Sequence, residues 1–243
     1  MCGRFALHSS PHHWGQLYFS DWSSTPEEVP HVARFNIAPS QRVNVCFSGG
    51  VPSVATMRTM RWGFNPGWRQ GGKSQTLLIN ARSETIEHKE IFSDAFRFRR
   101  CLIPADGFFE WRQIGRKKYP YYMSSRSGGA FAMAGIWTDF SPRNDNQRND
   151  QCFCVLTTRS NRTLSELHQR MPVILSPEDY STWMDPRFED YDHLRSLLQP
   201  ADDSFLQRWS VSSIVNRVHS DSIACIREVP EPSISIKSQM RLF

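Results

Sequence analysis

Cys2 is the residue whose position gives it the most chemistry. An initiator methionine is usually trimmed before a small residue, and loss of Met1 leaves a cysteine carrying a free α-amine and a thiol on neighbouring carbons. Such a 1,2-aminothiol can close a five-membered ring on an aldehyde. At a pH of about 7.4 an α-amine of pKa about 7.8 is roughly a quarter neutral, whereas a lysine is only about 0.1% neutral. The terminal amine therefore leads any surface lysine by about two orders of magnitude before positioning is counted. A solvated thiol of pKa about 8.5 is several per cent thiolate and a strong nucleophile. The plainer role, an incidental or buried cysteine, fits most such residues equally well.

Further candidates are spread along the chain. Asn80, in LLINARSET, ends an apolar run where a buried strand meets a loop, so it can hold a ligand or simply cap a turn. Glu110, in DGFFEW, falls by alternation on the face of Phe108 rather than Phe109. A desolvated carboxylate there has a raised pKa and suits proton transfer, unless a nearby Arg or Lys pairs with it. His168, in ELHQRMPV, stands between a short helix and a strand, two residues before Arg170, and serves either acid–base chemistry or the core. Arg4, Arg61, Arg82 and Arg170, with Trp62 and Trp68, form a basic and aromatic set suited to stacking and phosphate contact. A solvated surface for the arginines and a core position for the tryptophans are the alternatives.

The elements that must position these residues read as one β-rich α+β domain with a short tail. Ser10-Pro11 opens a helix through Phe19. RFNIAP leads into a strand at Val43 to Phe47, Val54 to Trp62 is another, and residues 63–72 form a Gly, Pro and Trp-bearing loop. Ser83 is expected to cap a helix to about Phe96. The clearest hairpin runs from Cys101 to Met123, turning around Gly115 to Lys118. An apolar run at Phe131 to Trp137 and a strand at Cys152 to Thr157 follow, with a polar loop at residues 141–150 between them. A short helix at Leu164 to His168, a strand at MPVIL, a helix capped by Ser176, a second helix ending before Pro200 and a last strand at Val211 to Val215 complete the domain. The domain is expected over residues 1–227 and a flexible tail over 228–243.

Composition is that of an ordinary globular chain. Its net charge of +5 permits a polyanion partner without demanding one. No apolar run approaches the roughly 20 residues of a membrane span, and no signal pattern opens the sequence. Six cysteines without CxxC spacing argue against a disulfide framework or zinc site and for a reducing cytoplasm. No metal or cofactor is expected.

The blocks MCGRF, RFNIAP, RWGFNPGW, INARSET, CLIPADGFFEW and ELHQRMPVIL occur in this order from Met1 to about Leu175. Together they resemble the SRAP (SOS-response-associated peptidase) family, whose members process abasic sites in single-stranded DNA. The resemblance implies an α+β, SRAP-type domain with a mixed or antiparallel, barrel-like sheet and short flanking helices. It also implies catalytic Cys2, Asn80, Glu110 and His168, with DNA contacts from Arg4, Trp68, Arg82 and Arg170. Arg69 stands where the family often has a second aromatic, and an Arg there can stack and contact phosphate.

The implied reaction is a thiazolidine crosslink between Cys2 and the ring-opened sugar, with lyase or autopeptidase activity beside it. Glu110 would move protons, His168 assist ring opening or protonate the leaving oxygen, and Asn80 hold the sugar. Two other readings stay open: a thiol peptidase built on Cys2, His168 and Asn80 or Glu110, and a non-covalent single-strand-binding module. Gln239, Met240, Leu242 and Phe243, in the terminal QMRLF, look like the short peptide by which bacterial replication proteins dock on the sliding clamp. Docking there would place the protein at replication forks on the nucleoid.

Overall fold

A computed structural model describes residues 2–10, 31–48, 55–65, 77–140 and 150–232 of the chain. The expected helix at residues 11–19, the loop at 141–149, Met1, Trp68, Arg69 and the QMRLF peptide lie outside the described residues.

Apolar runs too long to be covered on one face set the architecture. Strand β3 (Arg42–Ser48) pairs antiparallel with β4 (Ala55–Trp62) along its whole length and with β6 (Arg100–Ala105) on its other side. Strand β6 pairs with β9 (Phe131–Phe140), and β9 with β10 (Asp150–Arg159). Strand β10 then returns to β4 in parallel, Cys152 and Phe153 beside Arg61 and Trp62. These pairings close a ring, so the barrel-like core of an α+β fold is present. Closure leaves few free edges. It also buries β10 from Gln151 to Thr158, which is why QCFCVLT reads as a continuous run rather than an alternation.

Three short strands hang on this ring. They are β5 (Asn80–Arg82) and β11 (Arg170–Pro172), both on β10, and β12 (Ile174–Leu175), on β9. The expected MPVIL strand is therefore two, divided at Val173 between different partners.

A second sheet is antiparallel, in the order β13-β8-β7-β1-β2. It contains β1 (Phe5–Leu7), β2 (Arg34–Ile37), β7 (Gly107–Ile114), β8 (Lys117–Ser125) and β13 (Leu206–Ser210). The β7–β8 hairpin turns at Gly115, whose φ of +59° suits a residue without Cβ. As the alternation predicts, Phe108 joins the main core, while Phe109 joins a smaller cluster with Tyr122 and Val211.

Several local expectations are corrected. RFNI is itself a strand, β2, not a lead-in. Ser83 opens only a single 3-10 turn, Ser83–Thr85, and no side chain caps it. Arg82 is still paired with Thr157 of β10, and Ile86 drops into the core, so α1 (Glu90–Phe98) starts afresh at Glu90. Helix α2 (Arg162–Ser165) ends before His168. Ser176 makes no cap hydrogen bond, and a 3-10 turn at Pro177–Asp179 precedes α3 (Tyr180–Met184). Helix α4 (Tyr191–Ser196) ends before Pro200 as expected. The last strand is β13 rather than Val211 to Val215, because Ser212 caps a 3-10 turn at Ser213–Asn216 through Ile214 N. Past Glu228 the chain remains in contact with β13 through Val229 N and Ser210 O at 2.9 Å.

Gly107 faces Ala6 of β1, and a Cβ there would meet Met123 O and the Tyr122 ring, each at 2.3 Å. A backbone oxygen within a paired strand cannot retract. Gly107→Ala is expected to cost about 2–3 kcal/mol in urea unfolding. An unchanged midpoint would show that β7 is not packed this tightly against β8.

Candidate active site

The chain's first residues are built into the core. In β1 and β7, Phe5 opposes Phe108 and Ala6 opposes Gly107, and Phe109 N donates to Arg4 O at 3.0 Å. Arg4 thus lies against Phe109, next to Glu110 in the chain, and the Glu110 charge acts on the Cys2 thiol. Cys2 is fully buried. Its backbone oxygen accepts from Asn80 Nδ2 at 2.9 Å, while its Sγ faces Arg4 O at 3.7 Å. Asn80 comes from β5, so one side-chain amide ties the N-terminus of the small sheet to the barrel. The Oδ1 of the same amide is buried with no hydrogen-bond partner among the described residues.

Glu110 projects from β7 into this region and is 3% exposed. Burial raises its carboxyl above the ordinary range, and the nearby His168 opposes that shift. Burial, with the Glu110 charge added, pushes the Cys2 thiol up as well. The expectation of several per cent thiolate holds only for a solvated cysteine; buried here, the thiol is protonated at neutral pH.

His168 lies in the turn after α2, where Leu164 O accepts from its backbone N–H at 3.0 Å. Its Nδ1 lies 2.9 Å from Arg170 N, which donates to it when the neutral ring is protonated on Nε2, and 3.2 Å from Arg170 O, which accepts from it in the other tautomer. Cys2, Asn80, Glu110 and His168 thus come from four separate segments to one place. The arrangement combines a buried acid, an imidazole anchored through Nδ1 and an amide acceptor around a chain terminus. It can move protons at a group bound there, and it excludes bulk water. Among the described residues no cluster of His, Cys, Asp and Glu is suited to hold a metal ion.

The family model for SOS response associated peptidase (SRAP) matches residues 1–218. The chain belongs to this family. It is 36% identical to the abasic site processing protein YoqW of Bacillus subtilis over 224 residues, covering 91% of this chain and 97% of that one. It is 30% identical to the abasic site processing protein YedK of Escherichia coli, with 76% of this chain and 79% of that one covered. A crystal structure of a protein from Bacteroides thetaiotaomicron shares the fold, with a TM-score of 0.76 and 21% identity over 94% of this chain and all of that one.

The expected cationic set divides. Arg4 turns inward, its Nη1 donating to Asn36 Oδ1 at 2.9 Å and Val215 O at 2.6 Å. Arg170 pairs with Glu84 and also donates to Thr157 O. Arg82 is exposed at the end of β5. Trp62 is core: it is fully buried, stacks on Phe153, and donates from Nε1 to Ile79 O at 2.9 Å. It cannot stack on a base, because the closed ring covers it on both sides.

Asn36 and Glu84 were not singled out from the sequence, although each stands in a noted block, RFNIAP or INARSET. Their signal was a polar residue inside a block already read for its neighbours.

The raised Glu110 carboxyl has a consequence for stability. Its folded-state pKa lies above the unfolded value of about 4.3, so the folded protein binds more protons. Stability contributed by this group is therefore lost as pH rises through that range, and the full penalty applies above the folded pKa. Glu110→Gln should melt a few degrees higher than the parent near pH 8, with the gain shrinking toward about pH 4. A lower melting temperature near pH 8 would exclude a burdened carboxylate.

Proposed function

We propose that the protein captures abasic sites in single-stranded DNA by forming a thiazolidine between Cys2 and the ring-opened deoxyribose after Met1 is removed. The observation that carries this reading is the burial of Cys2 against Asn80 within the electrostatic reach of Glu110, itself beside His168. The names of the related proteins point to the same substrate. Trimming Met1 puts the nucleophilic amine on Cys2.

In the first stage the amine adds to the aldehyde carbon, and the resulting carbinolamine loses water to give an imine. Glu110, with its raised pKa, is suited to deliver the proton that departs with this water. His168, in the tautomer protonated on Nε2, presents Nε2–H as a second donor, suited to opening the sugar ring. In the second stage the Cys2 sulfur adds to the same carbon and its proton passes to the nitrogen, so aldehyde and aminothiol yield thiazolidine and one water. The suppressed acidity of the thiol keeps sulfur neutral while the amine reacts, which favours this order. The unpartnered Asn80 Oδ1 is available to a sugar hydroxyl or to the terminal amine. Trp68, Arg69 and Arg82 would hold the flanking strand.

A thiol peptidase would need an accessible thiolate, and the burial of Cys2 counts against that as the resting form. A non-covalent module would have no need of Cys2. We also propose that the QMRLF peptide, with Gln239, Met240, Leu242 and Phe243, docks on the sliding clamp and brings the protein to replication forks. No helix among the described residues is long and apolar enough to cross a membrane.

Intact-protein mass spectrometry with an abasic single-stranded oligonucleotide tests the main reading. The wild type should lose Met1 and gain the oligonucleotide mass minus one water. Cys2→Ala, and a chain with an uncleavable residue before Cys2, should give no stable adduct. A hydrolysis-stable adduct in Cys2→Ala would sink the assignment, and turnover of a peptide substrate would favour the peptidase. Deleting residues 239–243 should abolish clamp binding in a pull-down and leave crosslinking intact.

A further inference from the structure

We propose that Glu84 occupies, in the DNA-free protein, the place of a DNA phosphate on Arg170, so that strand binding exchanges a carboxylate for a phosphodiester on that guanidinium. The inference rests on the reading of the protein as a single-strand binder and assigns a role to a residue outside the reaction centre.

The contact has the geometry of phosphate recognition. Arg170 Nη1 donates to Glu84 Oε1 at 2.5 Å and Nη2 to Oε2 at 2.9 Å, the two-pronged fit a guanidinium also offers to phosphate. Arg170 also supplies the dominant pull that holds the Glu84 carboxyl below its ordinary range, so the pair is ionised at neutral pH. The two partners are unequal in freedom. The Arg170 side chain is 15% exposed and braced by Thr157, whereas that of Glu84 is 49% exposed and hangs from a three-residue turn. Arg170 is the fixed half of the pair and Glu84 the movable half.

Glu84 also has somewhere to go. It lines a cavity of about 380 Å³ together with Ser83, Thr158 and Arg159. Arg159 is exposed at the end of β10 and makes no ion pair among the described residues, so a displaced carboxylate finds a second cation within the same cavity. The site's position matters to the chemistry. The backbone of Arg170 contacts His168 Nδ1, so a phosphate seated on the guanidinium lies two residues from that imidazole.

A tethered carboxylate competes at high effective concentration. An isolated phosphate cannot displace it readily, whereas a strand held at Arg82 and elsewhere can. Glu84 therefore acts as a specificity residue that discriminates a polyanionic strand from small anions.

Glu84→Gln keeps the shape and removes the charge. Binding of an intact, abasic-free single-stranded oligonucleotide, followed by fluorescence anisotropy across a KCl series, should be about three- to tenfold tighter at low salt. The plot of log K against log salt should steepen by about 0.7, since one further phosphate is neutralised without expelling an internal anion. In an Arg170→Gln background the same change should alter neither affinity nor slope. Glu84→Asp, which keeps the charge but shortens the reach, should fall between parent and Gln, and it decides the matter if the Gln variant does not fold. Parent-like or weaker binding by a folded Glu84→Gln, or a gain that persists without Arg170, overturns the exchange while leaving wild-type crosslinking untouched. Failure of the wild type to bind the oligonucleotide at all overturns the functional reading, and the exchange with it.

Discussion

Burial of the chain's own beginning is the constraint on which the rest of this structure depends. A three-residue strand, β1, lies between β2 and β7, and every polar group carried into the core with it needs a partner there. Asp106 N reaches Ala6 O at 2.9 Å, Phe109 N reaches Arg4 O, and the Asn80 amide reaches Cys2 O. The Arg4 guanidinium bridges Asn36 and Val215, and Asn36 in turn donates to the carbonyls of Val215, Arg217 and Ser220. Asp221 accepts from the backbone N–H of both Phe35 and Asn36. The position of Cys2 is thus held by segments from both ends of the described chain. Arg4 is a brace for the terminus.

The barrel turns this constraint into a site. Because β10 closes the ring and is buried on both faces, its polar end at Thr157 is where new chain segments can attach. There β5 supplies Asn80 and Arg82, and β11 supplies Arg170. The small sheet contributes Cys2 and Glu110 from the other side. Water is largely displaced, so each charge weighs on its neighbours more than it would at the surface. Glu110 and Cys2 both shift toward their neutral forms for that reason. A buried carboxyl burdens the fold, and such a conflict between local stability and local chemistry marks a candidate site. The large guanidiniums are meanwhile engaged internally, Arg4 by an amide and a carbonyl and Arg170 by a carboxylate.

The sequence by itself determined the periodic parts. The strand over Ala55 to Trp62 and the assignment of Phe108 and Glu110 to one face follow from alternation between neighbours, the strand over Cys152 to Thr157 from an unbroken apolar run, and the hairpin through Gly115 from its turn residues. The chemical candidates were equally legible, since an N-terminal cysteine, a carboxylate among aromatics and a histidine beside an arginine are read from local context. Local pattern misled where tertiary pairing overrode it. Ser83 could not cap a helix while Arg82 was still in a strand, and Ser212 ended the strand that Val211 to Val215 suggested.

Only the tertiary structure decided which faces are covered and which distant residue each charge meets. Trp62 sits in an ordinary strand pattern, but the closed ring buries it completely. Arg4 finds its acceptor 211 residues away, and Arg170 its carboxylate at a separation of 86. The state of the Cys2 thiol was misjudged for the same reason. A reference pKa describes a solvated group, and solvation is removed by segments that lie far away in sequence and arrive only when the chain folds.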